Sequence, residues 1–421
     1  MKILVVTQYF WPETFKINEL VAHLVGQGHT VTVLTGPPNY PGGGIFAEFR
    51  ENPDRFARYE GAEVLRVPLV ARGNRGLTLM ANYLSFALTG SLLGPWKLRG
   101  RKQDAILVFA PSPSTVGLPA LAARLFLGGR VIYWLQDLWP ESLRAVGALR
   151  PGPTLSMLNA VSRFIYRRCD LLLAPARSLC RQLATEFGSS VRVEYLPNWV
   201  DKAADDDVVA QPAAGPPKDP SIFDIVYAGN IGDAQDLPAL LDAAEALRDE
   251  PVRWLVAGTG RRAAWLEEAI RNRDLTAQVR LIGVYPRDQM PAIFRRADAL
   301  IVSLKRDPVF AATVPTRLQS YLAAGRPILG MIDGEAADII ERSGAGLACP
   351  AGNWQRLAHN VRSLMSMDAD VRDAMGARGQ AFARQEFDRS TQLARLDAWL
   401  SETNSPASRE QERGQDRSFT R

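Results

Sequence analysis

The chain alternates twice between short apolar runs and stretches of helical period. In its first half the runs are "KILVVT", "TVTVLT", "EVLRVPL", "AILVFA", "RVIYWL", "LLLAP" and "VRVEYL". They are rich in β-branched residues, and segments of helical period separate most of them, which predicts a parallel, doubly wound sheet. A second set follows: "FDIVYAG", "VRWLVAG", "VRLIG", "ALIVSL", "RPILGMI" and "GLACP". Between the sets, "DKAADDDVVAQPAAGPPKDPS" is rich in Ala, Pro and Asp and reads as a linker. The expected organisation is an α/β domain over 1–198, a linker over 199–220 and a second α/β domain over 221–385. A closing helix over 386–401 and a disordered tail over 402–421 complete it.

Two such domains facing one another put the carboxyl ends of both sheets on one cleft, where open α/β sheets bind ligands. Candidate chemistry is therefore sought just after each strand. The first strand runs into "TQYFWPETFKINEL", with no G-x-G-x-x-G, which weakens a dinucleotide-oxidoreductase reading. Lys16 stands where the next helix begins, and either meets an anion or is a solvated helix-face lysine. The second strand leads into "GPPNYPGGG" (36–44), which contains Asn39 and Tyr40. Its prolines and glycines make either a constrained loop that lets backbone approach a ligand or a plain surface loop. After the fifth strand comes "QDLWPES". There Gln136 and Asp137 lie at the cleft edge. Asp137 either orients a sugar hydroxyl or reacting group, or caps the next helix. Trp139 and Glu141 suggest a sugar platform.

In the second half, "YAGNIGDAQDL" is a strand, a Gly229–Gly232 turn and a helix, a geometry that offers backbone N–H groups to a phosphate. Lys305 follows a strand directly. Thr316 and Gln319 have the T-x-x-Q spacing of a capping box, so a helix is expected to begin near Thr316. That puts Arg317 in the first turn, where the helix dipole opposes a cation by a few tenths to about 1 kcal/mol. A bound anion removes the conflict: Lys305, Arg317, the glycine turn and the helix start together surround a diphosphate. The alternative is a salt bridge from Arg317 to Asp307. The formal D-x-D at 205–207 lies in the linker and reads as a solvated charge run.

Composition and charge sharpen this. Of 421 residues, 47% are hydrophobic and 23% charged, which suits two sizeable cores. Cys169, Cys180 and Cys349 are scattered and lack a C-x-x-C, against a disulfide framework or a zinc site, and fit a reducing cytoplasm. "MKILVVTQYFWPE" does not read as a signal peptide. Residues 1–200 carry 22 Lys+Arg and 13 Asp+Glu (+9), and the remainder 28 and 32 (−4). The basic half points to anionic lipid or a phosphorylated substrate. Without arginine–aromatic interleaving, a nucleic-acid partner is not expected. Residues 76–96 are uncharged, with Arg72 and Arg75 before them and Lys97, Arg99, Arg101 and Lys102 after. Three readings stand: a transmembrane span, a domain helix that touches an anionic membrane with its basic rim, and an ordinary domain helix.

The motifs "QYFWPE", "GHTVTVLTG", "PPNYPGG", "DLWPES", "GNIG-x-x-Q", "SLK" and "TVPTR-x-QSY-x-AAG-x-PI" resemble glycosyltransferase family 4. The resemblance runs from residue 1 to about 400, and is nearest to the WbuB-like transferases of bacterial O-antigen and exopolysaccharide assembly. It implies the GT-B fold, two Rossmann-like domains with the acceptor on the first and the nucleotide sugar on the second. It also implies a retaining, metal-independent reaction with uridine as the base and no cofactor. The implied acceptor is a lipid-linked saccharide at the inner face of the cytoplasmic membrane, and the implied sugar an N-acetylated deoxyhexosamine such as N-acetyl-L-fucosamine. The expected catalytic set is Asp137, Gln136, Lys305 and Arg317. The donor set is Gly229, Asn230, Gly232, Gln235, Gly283, Val284, Thr316, Gln319 and Ser320, and the acceptor set Lys16, Asn39, Tyr40, Trp139 and Glu141. Several family positions differ. Ala312 and Ser320 stand where many members carry two glutamates, so Ser320 takes the ribose contact. Asn230 and Gln235 replace an arginine and a lysine, Gln136 replaces a histidine, and "FK" at 15–16 replaces a glycine pair. Two other classes stay open: an inactive GT-B scaffold, and a GT-B enzyme such as a nucleotide-sugar 2-epimerase.

Overall fold

The computed structural model describes residues 1–40, 42–73, 76–200 and 217–402. The D-x-D run at 205–207, Arg75, most of the linker and the tail from 403 onward lie outside the described residues. Among those described, two sheets form. The first contains β1 (Lys2–Val6), β2 (Thr30–Thr35), β3 (Arg58–Tyr59), β4 (Ala62–Arg66), β5 (Ala105–Ala110), β6 (Arg130–Leu135), β7 (Leu171–Ala174) and β8 (Arg192–Tyr195). Its order is β3-β4-β2-β1-β5-β6-β7-β8. The second contains β9 (Phe223–Ala228), β10 (Val252–Ala257), β11 (Val279–Gly283), β12 (Ala299–Ser303), β13 (Ile328–Met331) and β14 (Gly346–Cys349), in the order β11-β10-β9-β12-β13-β14. Every apolar run singled out in the sequence becomes a strand. All pairings are parallel except β3 with β4, where Arg58 faces Glu63. The sequence reading missed β3, because two residues are too few to show a period.

Alternate residues feed two cores. Leu4 and Val6 of β1 point into one cluster with Ile106 and Val108, while Ile3 and Val5 point into another with Val33 and Leu107. Chain order reverses beside β1 in the first sheet and beside β9 in the second. Those switch points open the cleft between the domains.

The helix Arg389–Ser401 does not stay with the second domain. Leu393, Leu396, Trp399 and Leu400 join the first domain's cluster of Ile3, Val5 and Trp134. Arg130 Nη1 donates to the Trp399 carbonyl (3.3 Å), and His23 contacts Asp397 (2.7 Å). The preceding helix Ala369–Glu386 remains in the second domain, where a Cβ on Gly376 would lie 2.0 Å from the Gly325 carbonyl oxygen.

The helix Gly76–Lys97 is long and apolar enough to cross a membrane by length and composition. One of its faces is nevertheless built into the first domain. Phe86 is in the core, Gly90 packs on Pro119, and Asn82 is fully buried and hydrogen-bonded. The opposite face exposes Leu77, Leu84, Leu88, Leu92 and Trp96.

Candidate active site

In the second domain, β9 ends at Ala228 and the chain turns at Gly229, whose φ of 130° disfavours any side chain. Two loops are laced together here. Gly229 N–H donates to the Ala257 carbonyl (2.9 Å) and Ile231 N–H to the Thr259 carbonyl (2.9 Å). A Cβ on Gly258 would fall 1.9 Å from the Gly229 carbonyl oxygen, so the close approach requires glycine. Gln235 Oε1 accepts from Gly232 N–H (3.0 Å). Its buried amide therefore ties the turn instead of reaching a ligand. The Asn230 carbonyl accepts from the Tyr227 hydroxyl (2.6 Å).

The helix Thr316–Ala324 begins where the sequence indicates, but not by a capping box. Pro315 is the N-cap, no side chain caps it, and both amide atoms of buried Gln319 lack partners. Arg317 leans back over the Tyr227 ring (4.8 Å), and its guanidinium carbon is 3.3 Å from where a Gly229 Cβ would be. Its Nη1 is buried without a hydrogen-bond partner. Asp307, the alternative partner, is taken by Arg144 Nη2 (3.0 Å) and Val309 N–H (2.9 Å). Tyr321 joins this helix to the strand end by accepting from Ala228 N–H (2.8 Å).

A cleft of about 760 Å³ opens above these elements. Gly229, Asn230, Val284, Thr316, Arg317 and Ser320 line it, and Tyr40 of the first domain faces them. Gly283 ends β11 with φ 90° and turns the chain towards it. Lys305 is elsewhere: its N–H donates to the Ala234 carbonyl (2.8 Å), and its charge opposes the burial that raises the Asp236 carboxyl.

In the first domain, Glu13 organises two loops. Its Oε1 accepts from Asn39 N–H (2.8 Å) and Tyr40 N–H (2.7 Å), and its Oε2 from Phe10 N–H (2.9 Å). Burial pushes its carboxyl up to about 7, against the pull of these donors and of Arg66. Asn39 is fully buried, so it serves the loop and not a sugar. Asn82 from the helix Gly76–Lys97 contacts Asn39 (3.3 Å) and accepts from Gln8 Nε2 (2.6 Å). Tyr40 packs on Tyr9 and Phe15 at centroid distances of 5.5 and 5.4 Å.

Two expected acceptor residues are not available to one. Lys16 is buried, ion-paired with Glu19 (3.7 Å) and set over the Trp199 ring (5.6 Å). Trp139 is buried too and offers no platform. Gln136 is half-buried, and its Nε2 has no partner. Burial raises the Asp137 carboxyl, opposed by hydrogen bonds from the Ser142 side chain and Leu138 N–H, and Glu141 raises it further. Glu141 is itself half-buried, and burial raises its carboxyl as well.

Residues 16–199 match the model of the glycosyl transferase 4-like domain, and residues 213–382 that of glycosyl transferases group 1. The Escherichia coli K12 protein named as the colanic acid biosynthesis glycosyl transferase WcaI is 30% identical over 340 residues, covering 77% of this chain and 82% of that protein. The chain belongs to glycosyltransferase family 4. Solved structures agree on the GT-B fold. Sucrose-phosphate synthase from Thermosynechococcus elongatus superposes with TM-score 0.70 at 13% identity, covering 94% of this chain and 98% of that one. HepE from Anabaena, solved with UDP and glucose, gives 0.66 at 14% identity, covering 96% and 100%.

The transferase holds its two domains together by side-chain bridges. Glu335 caps the helix Arg177–Phe187 of the other domain, accepting from Arg177 N–H (2.9 Å), Ser178 N–H (2.5 Å) and Ser178 Oγ (2.6 Å). The Arg144–Asp307 pair is a second bridge. Sequence reasoning missed Glu13 and Glu335. Only Glu13 carried a signal, as the last residue of "QYFWPE".

Proposed function

We propose that this glycosyltransferase moves a sugar from a UDP-linked donor to a lipid-linked saccharide in surface-polysaccharide assembly. One observation carries the reading: the unpartnered Nη1 of Arg317 beside the Gly229 turn. A donor diphosphate between them supplies the missing acceptor and counter-charge, and turns the helix start from an unfavourable site for a cation into a shared anion site. Val284, Tyr285, Met290 and Phe294 line the same cleft and give the nucleoside an apolar wall. HepE supports UDP as the carrier. WcaI and the Erwinia amylovora protein AmsK, named for amylovoran biosynthesis, support the polysaccharide setting.

In the proposed reaction an acceptor hydroxyl attacks the anomeric carbon on the face from which the diphosphate departs. The new C–O bond forms as the sugar–phosphate C–O bond breaks, and the hydroxyl proton passes to the departing phosphate oxygen. The anomeric configuration is retained. Arg317 and the helix N-terminus meet the charge that develops on the diphosphate, each such preorganised donor being worth about 3 kcal/mol. Asp137, on the acceptor wall, holds an acceptor hydroxyl. No step calls for a divalent ion.

The acceptor's lipid is met by the exposed stripe Leu77, Leu84, Leu88, Leu92 and Trp96, fringed by Lys97, Arg99, Arg101 and Lys102, at the inner face of the cytoplasmic membrane. The deciding experiment is a thermal-shift screen of UDP-, GDP- and dTDP-sugars, followed by product analysis with and without EDTA. UDP-sugars should raise the unfolding midpoint, product should keep the donor's anomeric configuration, and EDTA should leave the rate within about twofold. Loss in EDTA with rescue by a divalent ion would reject the metal-free route. A protein that neither binds nor consumes any nucleotide sugar would be a scaffold.

A further inference from the structure

We infer that the acceptor wall contains an anion subsite at Arg72 that holds a phosphoryl group of the acceptor, at the point where its lipid joins its saccharide. The inference rests on the proposed lipid-linked acceptor, and three observations carry it.

The first is how Arg72 is held. Its backbone N–H donates to Asn39 Oδ1 (3.3 Å), and Asn39 is fixed by Glu13 and Asn82. Its guanidinium lies 4.8 Å from the Tyr40 ring centre and 5.9 Å from that of Tyr9. Stacking on these rings fixes the plane of the fork while leaving its edge donors free. Among the described residues no carboxylate forms an ion pair with it. Arg66 is the contrast. It serves the same pair of loops, but its two terminal nitrogens are spent on the carbonyls of Gly36 and Trp11.

The second is what Arg72 faces. Tyr40, which carries its guanidinium, also lines the cleft that Arg317 enters from the other domain. Tyr83 is its neighbour on the inner side. Burial raises that phenol's pKa, while Arg72 and a hydrogen bond with Ser112 lower it and Asp137 raises it. Arg72 and Asp137 thus both lie within electrostatic reach of the Tyr83 hydroxyl.

The third is what lies outward. Val70 and Leu77, on either side of Arg72 in the chain, are exposed, and Leu77 begins the stripe that continues through Leu84, Leu88 and Leu92. The guanidinium stacks on Tyr40, which lines the cleft, and the stripe begins five residues further along the chain, so these residues read apolar stripe, guanidinium, cleft wall. A lipid-linked saccharide has the same order: tail, phosphoryl, sugar. A guanidinium fork matches phosphoryl oxygens in bidentate fashion.

The test uses the full chain with the donor site saturated by UDP. Farnesyl diphosphate, farnesol and inorganic pyrophosphate are titrated by calorimetry, each below its aggregation limit. Wild type should bind farnesyl diphosphate at least tenfold tighter than farnesol and than pyrophosphate. Arg72→Ala should lose at least tenfold for farnesyl diphosphate with farnesol unchanged, and Arg72→Lys, which keeps the charge but not the stacked fork, should recover only part of the loss. Arg72→Gln replaces Arg72→Ala if the latter does not fold. Equal binding of farnesyl diphosphate by wild type and Arg72→Ala overturns the subsite. Pyrophosphate binding as tightly as farnesyl diphosphate overturns its assignment to a lipid-linked phosphoryl group. UDP affinity, measured on the same samples, reports separately on the donor reading: its absence in wild type sinks that reading, while the farnesyl diphosphate comparison still decides Arg72.

Discussion

At the residue scale, Arg317 and Glu13 make opposite kinds of claim. Arg317 sits in a helix's first turn with no carboxylate partner among the described residues, so the folded state gains little from its charge. Arg317→Ala should therefore leave the unfolding midpoint unchanged or slightly higher, while kcat/KM for the UDP-sugar falls at least tenfold, about 1.4 kcal/mol or more. A drop in stability with unchanged kinetics would make it a structural residue. Glu13 is structural by design. Burial lifts its carboxyl from an ordinary 4.5 to about 7. Between those values the folded chain holds a proton that the unfolded chain has released, so this group's stabilisation is full below about 4.5 and lost as pH rises to about 7. Glu13→Gln should flatten that part of a urea-midpoint profile against pH, and an identical profile would place the carboxyl at its ordinary value. The glycine turn and Arg317 were legible in the sequence because both sit at predictable strand and helix ends. Lys16 and Trp139 were misread because burial depends on chain segments far away, Trp199 for the former. Glu335 was invisible for a related reason: the helix it caps begins 158 residues earlier.

At the scale of elements, periodicity exposed nearly all of the architecture. Thirteen apolar runs gave thirteen strands, because strands buried on both faces are marked by composition alone. Periodicity did not decide the helix Gly76–Lys97, for which three readings stood. The deciding fact is three-dimensional: Asn82 spends its amide on Gln8, Asn39 and the Val70 carbonyl, while the leucines turn outward. To span a bilayer, such a helix would have to break these bonds to its domain. Attachment to anionic vesicles should weaken as salt rises, since exposed charges are screened within about 8 Å at physiological ionic strength. Charge reversal at Lys97, Arg99, Arg101 and Lys102 should release the protein, each cation contributing roughly 1 kcal/mol, with UDP affinity intact. Failure to bind vesicles at low salt would remove the membrane from the account.

At the scale of the whole molecule, Glu335 and Asp307 of one domain grip Arg177, Ser178 and Arg144 of the other. Glu335→Ala strips a helix start of its cap, at a cost of about 1–2 kcal/mol. The domains should then separate more readily, seen as a larger radius of gyration in solution scattering and a raised KM for the donor. An unchanged radius would mean that the other bridges suffice. The return of the helix Arg389–Ser401 to the first domain has a different bearing. The first domain's core is drawn from two stretches of the chain, residues 1–200 and the helix Arg389–Ser401, with the second domain threaded between them. During synthesis that core stays open until the helix Arg389–Ser401 has left the ribosome, so neither domain can be finished much before the other. Evolution and engineering meet the same constraint. A second domain exchanged by a single crossover near residue 200 would bring a foreign copy of the helix Arg389–Ser401 to the first domain's wall. A clean exchange needs a second crossover after Glu386, so that the first domain keeps its own helix there.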